Sequence, residues 1–201
     1  MEEAPATQAR PSLVTGPDGL ARCSWGFSTP DYMTYHDTEW GVPVRGDDGL
    51  FERMTLEAFQ SGLSWLIILR KRPAFRAAFR DFAIAEVAAF GEADITRLLA
   101  DPGIVRNRSK IEAAIANARV ALDLPDGLAA LLWSYAPDLT GRARPASFAE
   151  VPATTPESTA LAKDLRKRGF RFVGPTTAYA LMQATGMVDD HIAGCFVQRS
   201  G

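Results

Sequence analysis

Both cysteines and both histidines of this 201-residue chain fall into two short pairs near its opposite ends: Cys23 and His36 as C-x12-H, His191 and Cys195 as H-x3-C. Taken singly, each reads as an ordinary buried thiol or imidazole. Together, as the only members of their types, they make a Cys2His2 set, the usual tetrahedral complement of structural Zn2+. His191 and Cys195, four apart, would share one face of a helical turn. A shared metal would tie the beginning of the ordered chain to its end, so the two must meet in the fold. Four protein ligands leave no position for water or substrate, which argues against a zinc-dependent hydrolase of small substrates.

Between those ends the pattern is helical. From Asp48 onward Leu50, Met54, Glu57, Ala58 and Ser61 recur at spacings of three and four, with Phe51, Phe59 and Leu63 on neighbouring faces, as in a largely enclosed helix. Further runs read as helices at 64–72, 73–80, 84–90, 92–100, 107–123, 126–135, 157–168 and 175–186, punctuated by Pro73, Pro102, Pro125, Pro145, Pro156 and Pro175. No alternating pattern is long enough to build a sheet, so an all-α protein of eight to ten short helices is expected. Residues 1–21, rich in Pro, Ala, Thr and Gly, read as a disordered extension, with the folded domain spanning 22–201. A 47% hydrophobic content supports one compact core and excludes intrinsic disorder and collagen-like folds. No segment reaches the roughly 18–20 apolar residues of a membrane span, and the start lacks a signal-peptide pattern. A cytoplasmic protein with no membrane partner is expected.

The net charge of −2 conceals two basic stretches. Residues 160–175 hold Lys163, Arg166, Lys167, Arg168 and Arg171 against Asp164, and residues 103–119 hold Arg106, Arg108, Lys110 and Arg119 against Glu112. Such runs are usually solvated helix faces, though they can also attract nucleic acid. Within the first, Gly169-Phe170-Arg171-Phe172-Val173-Gly174-Pro175-Thr176 has the form of a tight turn leading into a helix, anchored by Phe170, Phe172 and Val173. Its backbone N–H groups and the helix dipole would seat a phosphate, with Arg171 beside it. The plain alternative is a helix–helix connector. Glu57 faces inward from an apolar helix near Trp25, Tyr32, Tyr35, Trp40 and Trp65. A carboxylate among aromatic rings must be protonated, hydrogen-bonded or awaiting a cationic or donor-rich ring. Pairing with a core Tyr or Arg is the structural alternative.

Several longer motifs carry a resemblance: Arg22-Cys23-Ser24-Trp25, Tyr35-His36-Asp37, Glu39-Trp40-Gly41-Val42-Pro43, Leu56-Glu57, Gly62-Leu63-Ser64-Trp65, Gly103-Ile104-Val105-Arg106-Asn107-Arg108, Lys167-Arg168-Gly169-Phe170 and Asp190-His191 with Gly194-Cys195. From Arg22 to Cys195 the chain resembles the 3-methyladenine DNA glycosylase I family of helix-hairpin-helix glycosylases. The resemblance implies a zinc staple at Cys23, His36, His191 and Cys195, and a base pocket lined by Tyr32, Tyr35, Glu57 and Trp65. It also implies backbone contacts by the hairpin, through Gly169, Arg171, Gly174 and Thr176, and a gap in the duplex filled at Gly62-Leu63. The implied activity is base-excision repair: base flipping, hydrolysis of the N-glycosidic bond of 3-methyladenine in double-stranded alkylated DNA, and an abasic product. The base would stack between rings such as Trp65 and Tyr35. Glu57 is the candidate catalytic or recognition residue, and no Lys is placed for strand cleavage. A monomer suffices for this work. The 21-residue start lacks a counterpart in the family, and Pro175 removes one N–H from the phosphate seat. The rival reading is a zinc-stapled helix-hairpin-helix protein that binds DNA without chemistry.

Overall fold

The computed structural model describes residues 11–198. These residues contain nine α-helices: α1 (Pro30–Thr38), α2 (Asp47–Gln60), α3 (Trp65–Ala78), α4 (Ile84–Ala88), α5 (Glu92–Ala100), α6 (Arg108–Leu122), α7 (Gly127–Trp133), α8 (Pro156–Lys167) and α9 (Pro175–Ala184). The expected all-α architecture holds, and no helix among the described residues is long and apolar enough to cross a membrane.

Buried α2 is the axis of the fold, packed against α3, α4, α6, α7 and α9. Leu50, Phe51, Met54, Leu56 and Phe59 are all at most 1% exposed, so α2 buries nearly its whole circumference, as its crowded apolar spacing requires. Its acidic first turn serves other helices: Asp47 accepts from the Ala129 N–H in α7 (2.7 Å) and Asp48 from the Ile84 N–H opening α4 (2.9 Å). Carboxylates placed there meet the unpaired donors and positive dipole ends of those helices.

Three expectations change. The runs 64–72 and 73–80 merge into α3, with Pro73 inside it. Phe75 and Phe79 pack on Phe59 at 4.8 and 5.9 Å, and that burial holds the helix through a residue that removes one backbone hydrogen bond. Helix α1 was not expected. Thr29 caps it, accepting from the Tyr32 N–H at 3.3 Å, and Pro30 opens it. Lastly, order begins before Arg22: Leu13–Thr15 and Ala21–Cys23 form a two-stranded antiparallel ribbon, with Leu13 opposite Cys23. Leu13 packs on the cluster of Cys23, Ile192, Cys195 and Val197, which anchors a segment that composition alone reads as disordered. Residues 1–10 of the expected extension lie outside the described residues.

The ribbon and the segment after α9 meet, bringing the two ends together. Ile192 N–H donates to the Cys23 Sγ at 3.3 Å, and Phe196 N–H donates to the Ala21 carbonyl at 2.7 Å.

Candidate functional site

At this junction Cys23, His36 and Cys195 present ligand atoms that all lie within 4.8 Å of one another. The Cys195 Sγ is 3.5 Å from His36 Nε2. The Cys195 thiol is pushed down by the hydrogen bond from the Cys23 thiol, whose own proton is correspondingly held tighter. Four residues from Cys195, His191 is not on a helical turn as expected. Residues 189–197 run irregularly, turning at Gly194 (φ 92°). His191 stands just beyond the close trio, its ring 5.0 Å from that of His36. Its Nε2 is buried without a partner among the described residues. Both imidazoles have Nδ1 fixed on a carboxylate, His36 on Asp37 at 2.8 Å and His191 on Asp189 at 2.7 Å. That outer pairing fixes the orientation of each ring, so the two thiols and the oriented imidazoles could serve as a Zn2+ donor set. Gly26 permits the close packing: a Cβ there would lie 2.7 Å from His36 Cγ.

A cavity of about 370 Å3 lies on the other side of an aromatic wall, bounded by Trp25, Tyr32, Tyr35, Trp40, Glu57 and Trp65, with Gln60, Gln183, Asp190, Phe148 and Val151 also among its lining. Trp25 meets His36 edge-on at 5.2 Å and Trp40 at 5.1 Å, while Trp40 meets His191 at 4.6 Å. The Cys–His cluster therefore buttresses the pocket.

Each expected pocket residue is positioned by its helix. Tyr32, on α1, accepts at its hydroxyl the Leu66 N–H in the first turn of α3 (3.0 Å), which fixes the start of the helix that carries Trp65. Tyr35 is buried, and that burial holds its phenol protonated well beyond the usual range. The Tyr35 and Trp65 rings touch at 5.5 Å and tilt by 47°, so the expected sandwich between them does not fit as they stand: a planar base needs two parallel faces with space between. It can lie over one of them. Trp65 Nε1 is buried without a partner among the described residues. Glu57 is 7% exposed and accepts no hydrogen bond from the described residues. Burial pushes its carboxyl up to about 8, against the opposing pull of Arg53.

Two turns join helices of the fold, the first flanked by the cavity residues Gln60 and Trp65. Between α2 and α3, Gly62 (φ 83°) presents Leu63, 39% exposed. Between α8 and α9, Gly169 (φ 102°) and Gly174 frame the hairpin, Arg171 is exposed, and Pro175 and Thr176 open α9. Phe170 and Val173 anchor it as expected, but Phe172 does not. It is 41% exposed at φ 56°, the tip of the turn rather than part of the core. Both turns are fixed by one helix. In α6 buried Lys110 donates to the Phe59 and Ser61 carbonyls (2.9 and 2.6 Å), and buried Asn117 pairs with the Arg171 backbone in both directions (3.1 and 2.8 Å).

Lys110 is thus a structural cation. Arg108 pairs with Glu92 and Glu112, and Arg119 donates to the Ala88 and Phe90 carbonyls. The basic stretch 103–119 is therefore largely consumed by the fold. Lys163, Lys167 and Arg171 stay exposed in the other. The roles of Lys110 and Asn117 escaped the sequence reading, although buried polar residues seven apart on one helix face carry the signal. Asp190, also unexpected at the pocket, is held by Tyr179, Gln183 and Arg142 at 2.6–2.8 Å.

A helical fold whose buried carboxyl sits in an aromatic cavity can receive a planar base, and likeness to known proteins specifies the class. The methyladenine glycosylase model matches residues 25–198. DNA-3-methyladenine glycosylase 1 of Escherichia coli (strain K12) is 44% identical over 179 residues, 88% of this chain and 96% of that protein. A crystal structure of a 3-methyladenine DNA glycosylase I superposes with a TM-score of 0.82 at 46% identity, covering 89% of this chain and all of that one. A variant of such an enzyme in complex with 3-methyladenine gives 0.82 at 34% identity, over 89% of this chain and 98% of that one. The chain belongs to the 3-methyladenine DNA glycosylase I family.

Proposed function

We propose that this chain removes 3-methyladenine from double-stranded alkylated DNA by hydrolysing the N-glycosidic bond, leaving an abasic site in base-excision repair. The observation that carries this reading is Glu57: a buried carboxyl raised to about 8 and lacking a partner in an aromatic cavity of about 370 Å3. An apolar site that leaves a carboxyl unsatisfied is built for a ligand that supplies the missing donor or charge. Methylation at N3 makes adenine cationic, so the glycosidic bond is already weak and the base departs neutral. The pocket therefore needs to bind and orient more than to activate. The lesion swings out of the duplex and lies over an aromatic face, its amino group donating to Glu57, while water attacks C1′. Leu63 fills the vacated stack, and the hairpin with Gly169, Arg171, Gly174 and Thr176 holds backbone phosphate.

Cys23, His36, His191 and Cys195 would hold Zn2+. His191 would supply the fourth donor through its Nε2, which has no partner among the described residues, and the metal would contribute folding energy and rigidity behind Trp25 and Trp40. All four ligand side chains are at most 2% exposed, which favours a structural site over one that admits a small substrate. Non-catalytic DNA binding would leave the unpartnered Glu57 without a purpose. The test is incubation of purified protein with methylated duplex DNA, followed by chromatography of freed bases. Release of 3-methyladenine, slowed roughly 10- to 100-fold in Glu57→Gln, is expected; no free base at any enzyme concentration would overturn the assignment.

A further inference from the structure

One largely buried charge near Glu57 in sequence and on the same helix has no role in the steps above. Arg53 lies on α2 one turn before Glu57, an i, i+4 pair whose side chains share a helix face. Its side chain is 12% exposed and its Nη2 donates to Glu39 at 2.9 Å. Glu39 is gripped from the other side by Arg72 of α3, at 2.6 and 2.7 Å. This clasp fixes the Arg53 guanidinium but leaves Nη1 buried with no partner among the described residues. An unsatisfied guanidinium edge and an unsatisfied carboxyl thus stand one helical turn apart, a costly arrangement unless the two are meant to meet.

We propose that Arg53 is a positioning residue for base recognition: its Nη1 edge receives the Glu57 carboxylate when Glu57 releases its proton to solvent, so that the anion facing the base is held by a group that never touches the base. The inference rests on Glu57 being the base acceptor. Other ionisable groups on the elements around Glu57 are already engaged. Glu39 lies between Arg53 and Arg72, Arg76 of α3 pairs with Glu52, Lys110 of α6 holds two carbonyls, and Tyr179 of α9 donates to Asp190. Tyr35 of α1 is held neutral by burial, and Asp48, at the far end of α2, binds the Ile84 N–H. The charge that favours ionised Glu57 comes from Arg53.

The test reads the Glu57 carboxyl directly, by carbon NMR titration of ligand-free protein, with the resonance assigned through its loss in Glu57→Gln. Arg53→Met should move the Glu57 midpoint upward by about one pH unit or more, and Arg53→Lys should restore most of it. Near neutral pH the Met variant should bind 3-methyladenine roughly tenfold more weakly, because the ionised fraction falls by that factor. A folded Arg53→Met protein whose midpoint does not move would overturn the proposal. Should that variant fail to fold, Glu39→Gln decides: freeing the guanidinium from its anion should lower the Glu57 midpoint, and an unmoved or higher midpoint overturns the proposal. Failure of wild-type protein to bind 3-methyladenine at any pH would count against the function, while the NMR midpoint would still decide the pairing.

Discussion

The Cys–His cluster and the aromatic pocket share one wall, yet their buried polar atoms are treated in opposite ways. Around the cluster nearly every polar atom has a counterpart: each imidazole Nδ1 has a carboxylate, Asp37 is held by Arg22, and Asp189 by Arg144. Cys23, His36 and Cys195 bring their ligand atoms within 4.8 Å of one another, with the His191 ring 5.0 Å from that of His36. In the pocket, the Trp65 Nε1 has no partner among the described residues, and Glu57 is buried there with no hydrogen bond to them. Buried polar groups are normally satisfied, and the exceptions need an explanation. A cluster so fully paired holds structure together, whereas a cavity that leaves buried polar atoms unpaired is held ready for a ligand of matching shape. Removing a group from the first should therefore damage the fold, and removing one from the second should damage function while relieving the fold.

The cluster should give the largest effect. Purified protein is expected to hold one Zn2+ per chain, and Cys195→Ala or chelation should lower Tm by more than about 10 °C, with glycosylase activity lost alongside. Elemental analysis and calorimetry check this. A metal-free protein with unaltered Tm would place the cluster among ordinary buried thiols.

Glu57→Gln should do the reverse. Base release should fall roughly 10- to 100-fold in kcat/KM, the value of a buried hydrogen bond to a charged group. Stability should move the other way, with a definite pH dependence. Because the carboxyl is held in the folded chain well above its ordinary 4.5, the folded state keeps a proton that the unfolded chain gives up. Wild-type stability therefore drops as pH climbs from 4.5 toward about 8. The Gln variant escapes that loss, so its Tm should exceed that of wild type by a margin that widens over the interval, to roughly 5 °C or more. A constant margin across pH would show that the Glu57 carboxyl is not strained by burial.

The two centres were not equally visible in the sequence. Scarcity marked the metal ligands, since two Cys and two His in matched pairs can be found by counting, and the helical period of α2 marked Glu57 as inward-facing. Neither signal carries orientation. The turn at Gly194 that takes His191 and Cys195 off a helix is a matter of tertiary context, as is the tilt of Tyr35 against Trp65. The ribbon at 13–23 went unseen because its strands are three residues each and owe their order to packing against Cys195 and Ile192. Helix α1 had its signals in Thr29 and Pro30, but its aromatic residues suggested a site before a helix. In α6 a charge count took Lys110 for DNA-facing surface, whereas burial makes it the clamp of the 61–64 turn.

The two exposed turns sharpen the comparison further, because their residues should affect DNA handling without touching either centre. Leu63→Ala removes apolar surface that is 39% exposed in the free protein and becomes buried only if it enters the duplex. Excision from duplex DNA should fall roughly tenfold, with Tm and the affinity for free 3-methyladenine unchanged. A loss of free-base affinity would instead place Leu63 inside the pocket.

Arg171 should give the smallest and most specific change. Its backbone is pinned to Asn117 while its side chain is exposed, so Arg171→Ala leaves the hairpin in place and removes one cation from it. A cation on a phosphate contributes through counterion release, which depends on salt and not on the lesion. The variant should bind methylated and undamaged duplex a few-fold more weakly to the same degree, and the slope of log affinity against log salt should shrink by about one. A loss confined to methylated DNA, with the slope intact, would move Arg171 from the phosphate seat to the base-recognition side of the comparison.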